Sequence, residues 1–167
     1  MSESLRLALD QNFPTPLIEA VRPWLPMDLV LTSIYKINPA MSELTDVELF
    51  VALHQMGYGG LVTNNYRMLY VPEEIGAIVS TKATVVAVEG LGHDPIRAVG
   101  ALLLELPGLR DRIKSGQANV FRLAYRQRQP ENGWDYLAGA AKKQDVPTQD
   151  LWELVRLTPD QLSSRIL

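Results

Sequence analysis

The chain has 167 residues, 47% of them hydrophobic and 21% charged, with a formal net charge of -3. A chain of that length buries roughly two-thirds of its unfolded surface as one domain with a short appendage, and its ordinary apolar fraction with low net charge excludes disorder. No window reaches the roughly 18 to 20 consecutive apolar residues of a membrane span, and with no cysteine there is no disulfide scaffold, thiol nucleophile or zinc–thiolate site.

The polar start, Met1-Ser2-Glu3-Ser4, lacks the basic stretch and apolar core of a secretory signal. A reducing cytoplasm is the expected location. Two histidines, His54 and His93, are too few for a His-rich metal centre, so any metal would need oxygen ligands. Charge is unevenly spread. Residues 1–107 carry 6 basic and 12 acidic side chains, whereas residues 108–143 carry 8 basic and 3 acidic. An acidic body beside a basic segment suits a carboxylate metal site next to a polyanion-binding edge, or simply a solvated surface.

Leu5-Arg6-Leu7-Ala8-Leu9 reads as a strand ending at Asp10. Pro14 and Pro16 suit the first turn of a helix whose apolar positions are Leu17, Ile18, Val21 and Leu25, with Pro23 and Pro26 ending it. Residues 29–34 form a second apolar run, followed by a polar connection at Asn38-Pro39. Thr45-Asp46-Val47-Glu48 has capping-box spacing and opens a helix with an apolar stripe of Leu49, Phe50, Leu53 and Met56, closed by Gly57.

Gly60-Leu61-Val62-Thr63 is a third strand closed by Asn64-Asn65, and Pro72-Glu73-Glu74-Ile75 starts a further helix with acids on its positive end. Residues 83–88 are the clearest strand. Asp94-Pro95 starts a helix through Leu104, and residues 120–125 suit a fifth strand. Strands alternating with helices imply a three-layer α/β/α domain over residues 1–128, with a central, mostly parallel sheet of four or five strands. Residues 129–167 read as a helical C-terminal extension, with segments near 134–143, 148–157 and after Thr158. Its large apolar groups, Trp134, Tyr136, Leu151, Trp152, Leu154 and Val155, are expected to pack on the domain or on a partner.

In an open parallel sheet, ligands bind beyond the carboxyl ends of the strands at the switch in strand order. Asp10, Asp46 with Glu48, and Asn64 with Asn65 all fall in segments that can reach that edge. Asp46 and Glu48, two apart on a helix, do not share a face. Each residue has a plain alternative: Asp10 starting a turn, Asp46 and Glu48 capping a helix, the two asparagines taking left-handed backbone. Other candidates are weaker. Gly57-Tyr58-Gly59-Gly60 lacks the Lys-Ser/Thr of a phosphate loop, His93 and Asp94 fit a turn and a helix start, and Ser33 and Ser80 lack a nucleophile elbow. Arg122, Arg126 and Arg128 share one strand face, opposite Phe121 and Tyr125.

The ordered segments Leu7-Ala8-Leu9-Asp10-Gln11-Asn12-Phe13-Pro14, Thr45-Asp46-Val47-Glu48-Leu49 and Leu61-Val62-Thr63-Asn64-Asn65-Tyr66-Arg67-Met68 resemble the PIN-like domain family, and within it the VapC-type toxin ribonucleases. The resemblance covers residues 5–125. It implies a metal-dependent ribonuclease using Mg²⁺ or Mn²⁺, with Asp10, Asp46 and Asn65 as metal ligands, Glu48 beside them in the catalytic set, and Arg67, Asn64, Asn12 and Thr63 binding substrate. Implied partners are RNA, an antitoxin protein and a second copy of the chain. The family's third-strand acid is replaced here by Asn65, which keeps an oxygen ligand but loses the charge. That departure leaves two expectations: a weakened nuclease, or an inactive PIN-like module that binds RNA or a protein partner.

Overall fold

The computed structural model describes residues 4–124 and 131–163. The chain divides into two compact units, Met1–Arg126 and Gln127–Leu167. In the first unit, strands β1 (Leu5–Leu9), β2 (Leu29–Ser33), β3 (Gly60–Thr63), β4 (Thr84–Glu89) and β5 (Asn119–Ala124) form one sheet in the order β2-β1-β3-β4-β5. Every pairing is parallel, for example Leu7 with Leu31 and Val62 with Val86.

The period-2 alternation of the strands splits the core in two. Leu7, Leu9, Leu31, Val62, Val86 and Val88 face helices α1 (Thr15–Val21), α5 (Pro95–Glu105) and α6 (Leu109–Arg112). Ala8, Leu61, Val85 and Ala87 face α3 (Asp46–Gln55) and α4 (Pro72–Thr81), with the short α2 (Ile34–Ile37) at the margin. Both faces are covered, which makes the three layers expected from the sequence. Each fully buried Leu or Ile in them contributes roughly 1.5–3 kcal/mol. The β2→β3 and β3→β4 connections run over the α3/α4 face, whereas β4→β5 crosses in the same direction over the other face and so has the opposite hand. Alone, the seven-residue α1 is too short to cover Val62, Val86 and Val88, and α5 closes that gap.

Gly60 is dictated by the β3–β4 approach: a Cβ there would lie 1.8 Å from the Thr84 carbonyl oxygen. The capping box on α3 is complete, with Thr45 Oγ1 accepting from the Glu48 amide at 3.3 Å and Glu48 accepting from the Thr45 amide at 2.9 Å. The helix ends at Gln55, with Met56 as its cap and Gly57 following at φ 74°.

Local details differ from the sequence reading at several points. The first helix stops at Val21 and tightens into a 3₁₀ turn, Arg22–Trp24, because Pro23 cannot extend the α-helical ladder. Ile34 leaves β2 to begin α2. The polar connection contains a 3₁₀ turn, Pro39–Glu43, and another, Tyr66–Tyr70, follows β3. β5 spans Asn119–Ala124, one residue earlier than the apolar run suggested, and Tyr125, Arg126 and Arg128 lie outside the described residues.

The second unit contains α7 (Gly133–Lys143), α8 (Thr148–Val155) and α9 (Pro159–Ser163). Trp134 and Trp152 meet edge to face with centroids 5.7 Å apart, a geometry the ring quadrupoles favour. Leu151 is buried, while Trp134, Tyr136, Trp152, Leu154 and Val155 keep exposed surface. Among the described residues, no helix is long and apolar enough to cross a membrane.

Candidate functional site

The strand order reverses between β1 and β3: the chain leaves β1 for the α1 face and leaves β3 for the α4 face. At the carboxyl ends of these two neighbours sit Asp10 and Thr63. The Asp10 amide donates to the Val62 carbonyl at 2.9 Å, so the sheet's own hydrogen bonding fixes its backbone. Its side chain is nine-tenths buried. Oδ1 accepts from the Gln11 amide at 2.7 Å, and Oδ2 accepts from Thr63 Oγ1 at 2.7 Å.

Thr63 is fully buried and its hydroxyl also accepts from the Asn65 amide at 2.9 Å. Asn65 Nδ2 in turn donates to Asp46 Oδ2 at 3.3 Å. A continuous hydrogen-bonded chain therefore runs Asp10–Thr63–Asn65–Asp46 across the switch point. Three of the segments singled out in the sequence do meet. Asn64 completes the tie between the β1 and β3 loops, its Nδ2 donating to the Asn12 carbonyl at 3.4 Å, while its Oδ1 is buried without a partner among the described residues.

The chain ends on a residue that sequence reasoning missed. Glu74, in the first turn of α4, lies carboxyl to carboxyl against Asp46. Burial first, then the charge of Asp10, raises the Asp46 carboxyl above its ordinary range. Burial and the charge of Asp46 raise Glu74 likewise, and Glu74 Oε2 is buried with no hydrogen-bond donor among the described residues. Two carboxyls in contact need a shared proton or a cation. In the sequence Glu74 looked like dipole compensation at a helix start. The missing signal was tertiary: α3 and α4 pack side by side, so both first turns open at the same edge.

The other candidates separate by what their side chains already do. Glu48 accepts from both the amide and the hydroxyl of Thr45, and these bonds hold its carboxyl below the usual range. It serves as the helix cap. Arg67 is exposed on the 3₁₀ turn and makes no hydrogen bond or ion pair with a described residue. The Asn12 side chain is exposed. Asp94 caps α5 through the Arg97 amide at 3.0 Å, and His54 and His93 are exposed. Arg122 is paired with Glu89 at 2.6 Å.

The oxygen-only donor set of Asp10, Asp46 and Asn65, with Glu74 behind it, is the kind a hard divalent cation takes. Yet no group of three or more His, Cys, Asp or Glu among the described residues is arranged to hold a metal ion. The donors that fit are two carboxylates and an amide oxygen, a set that leaves most positions around the ion to water, as Mg²⁺ commonly keeps them. No family model, no curated protein and no solved structure matches the chain.

Proposed function

We propose that the chain is a divalent-cation-dependent nuclease of the PIN-like class that cleaves RNA. The hydrogen-bonded line Asp10–Thr63–Asn65–Asp46 carries this reading, because it draws the acids of two remote segments to one rim of a parallel sheet. Mg²⁺ or Mn²⁺ would be held by Asp10, Asp46 and the Asn65 amide oxygen. When bound, such an ion supplies the charge that makes water a nucleophile near neutral pH and offsets charge on the phosphodiester.

The chain's own residues do the rest. Thr63 aims the Asp10 carboxylate, and Asn65 aims that of Asp46, each through one hydrogen bond. Beside those acids Glu74, whose carboxyl is raised by burial and by the charge of Asp46, keeps its proton to a higher pH than an ordinary glutamate would. Arg67, exposed two residues past Asn65 and making no hydrogen bond or ion pair with a described residue, would meet a phosphate. The resemblance behind this reading also implies a toxin–antitoxin role in the cytoplasm, with an antitoxin protein or a second copy as partner.

One observation favours a second reading. With Asn65 uncharged and no group of three or more His, Cys, Asp or Glu among the described residues arranged to hold a metal ion, the site can hold RNA or a protein without cutting. A Mn²⁺-supplemented cleavage assay on the wild-type chain and on Asn65→Asp separates the two. Cleavage by the wild type that Asp10→Ala abolishes supports the nuclease, and cleavage gained only in Asn65→Asp supports a silenced one. No cleavage by either chain refutes it.

A further inference from the structure

The 3₁₀ turn Tyr66–Tyr70 begins directly after Asn65, so whatever it displays stands beside the acidic rim. Side chains three apart on a 3₁₀ turn eclipse one another. Arg67 and Tyr70 are such a pair, and both are exposed, Tyr70 at 62%. Behind Tyr70 the Arg122 guanidinium lies 5.8 Å from the ring centroid. Arg122 is itself anchored on β5 and held at 2.6 Å by Glu89, the last residue of β4. One face of the ring is thus backed by the Arg122 guanidinium while the residue as a whole stays largely exposed, and Arg67, which makes no hydrogen bond or ion pair with a described residue, stands on the same side of the turn.

From this we infer that Tyr70 is a stacking platform for an unpaired base, and Arg67 the contact for the phosphate next to it, so that the site takes a single-stranded nucleic acid. The inference deepens the nuclease reading and rests on it. A ring already pinned against Arg122 loses little freedom when a base stacks on it, and stacking tolerates any base because each has a π-face. A duplex hides its bases and offers the ring nothing to cover. Arg67, a planar donor fork, suits a phosphate oxygen pair.

The test is fluorescence anisotropy in EDTA, where no cleavage occurs, with labelled oligouridylate, labelled oligothymidylate and a matched duplex as probes. The wild type should bind both single strands more tightly than the duplex. Tyr70→Ala should weaken single-strand binding roughly five- to a hundredfold, and Tyr70→Phe, which keeps the ring, should stay within about threefold on the same basis. Arg67→Gln should lower the salt slope by about 0.7, one phosphate contact on a single strand. A preference between the ribose and deoxyribose strands assigns the source of the ligand.

Unchanged binding by Tyr70→Ala overturns the inference, as does a preference for the duplex or no binding by the wild type. Because Tyr70 is exposed, its variants keep the fold, which an unchanged melting curve verifies. The nuclease reading is judged separately by Mn²⁺-dependent cleavage, so its failure is distinguishable from the loss of the platform.

Discussion

Thr63→Val replaces a fully buried hydroxyl by a methyl of the same shape and so isolates the hydrogen bonds at the centre of the site. Two are lost: the one Thr63 donates to Asp10 Oδ2 at 2.7 Å and the one it accepts from the Asn65 amide at 2.9 Å. A bond to a charged acceptor contributes roughly 1.5–3 kcal/mol and a neutral one roughly 0.5–1.5 kcal/mol, so the variant should lose about 2–4.5 kcal/mol. For a chain of this size that lowers Tm by roughly 4–18 °C. Urea titration should show a lower midpoint with an unchanged slope, because the surface exposed on unfolding is the same. Thr63→Ser, which keeps the oxygen, should recover most of the loss. A Thr63→Val protein within about 0.5 kcal/mol of wild type, the scatter of ordinary surface substitutions, would refute the claim that this hydroxyl braces the rim.

Gly60→Ala should unfold the domain or cost more than about 3 kcal/mol, since the new methyl meets the Thr84 carbonyl oxygen at 1.8 Å; circular dichroism melting checks it. In EDTA, Asp46→Asn should melt above the wild type at neutral pH. The Asp46 and Glu74 carboxyls are raised in the folded state, so their contribution to stability is full below their unfolded pKa and lost as pH rises through the folded value. Melting followed upward from acid pH should therefore show a wild-type decline that Asp46→Asn largely lacks. Glu19 behaves in the opposite sense. Hydrogen bonds from Arg22 and Lys36 lower its pKa to about 2, so its contribution is present above the unfolded value and fades as pH falls toward 2. Glu19→Gln should flatten the acid limb of the stability curve.

The layered architecture was legible because each strand is a short apolar run between turn residues, and two-sided burial needs little more than that. Asp10 and Thr63 were legible for the same reason, being the first polar residues after β1 and the last of β3. The 3₁₀ turns were not, since three to five residues carry too little periodicity to register. Glu48 could serve either the cap or the site on sequence grounds. The capping box decides it, because the local bonds to Thr45 form whatever the rest of the chain does. The contacts of Glu74 with Asp46 and of Tyr70 with Arg122 were invisible for a tertiary reason: they come from packing of α3 beside α4 and of β5 beside β4, which spacing along one segment cannot express.

The central claim is that Asp10 and Asp46, with Asn65, hold a divalent cation. Titration with Mn²⁺, followed by loss of the free-ion electron paramagnetic resonance signal, tests it directly. The account predicts one ion per wild-type chain and sharply weaker binding in both Asp10→Asn and Asp46→Asn. Retention of the ion by both variants, or no binding to the wild type at millimolar Mn²⁺, would contradict it.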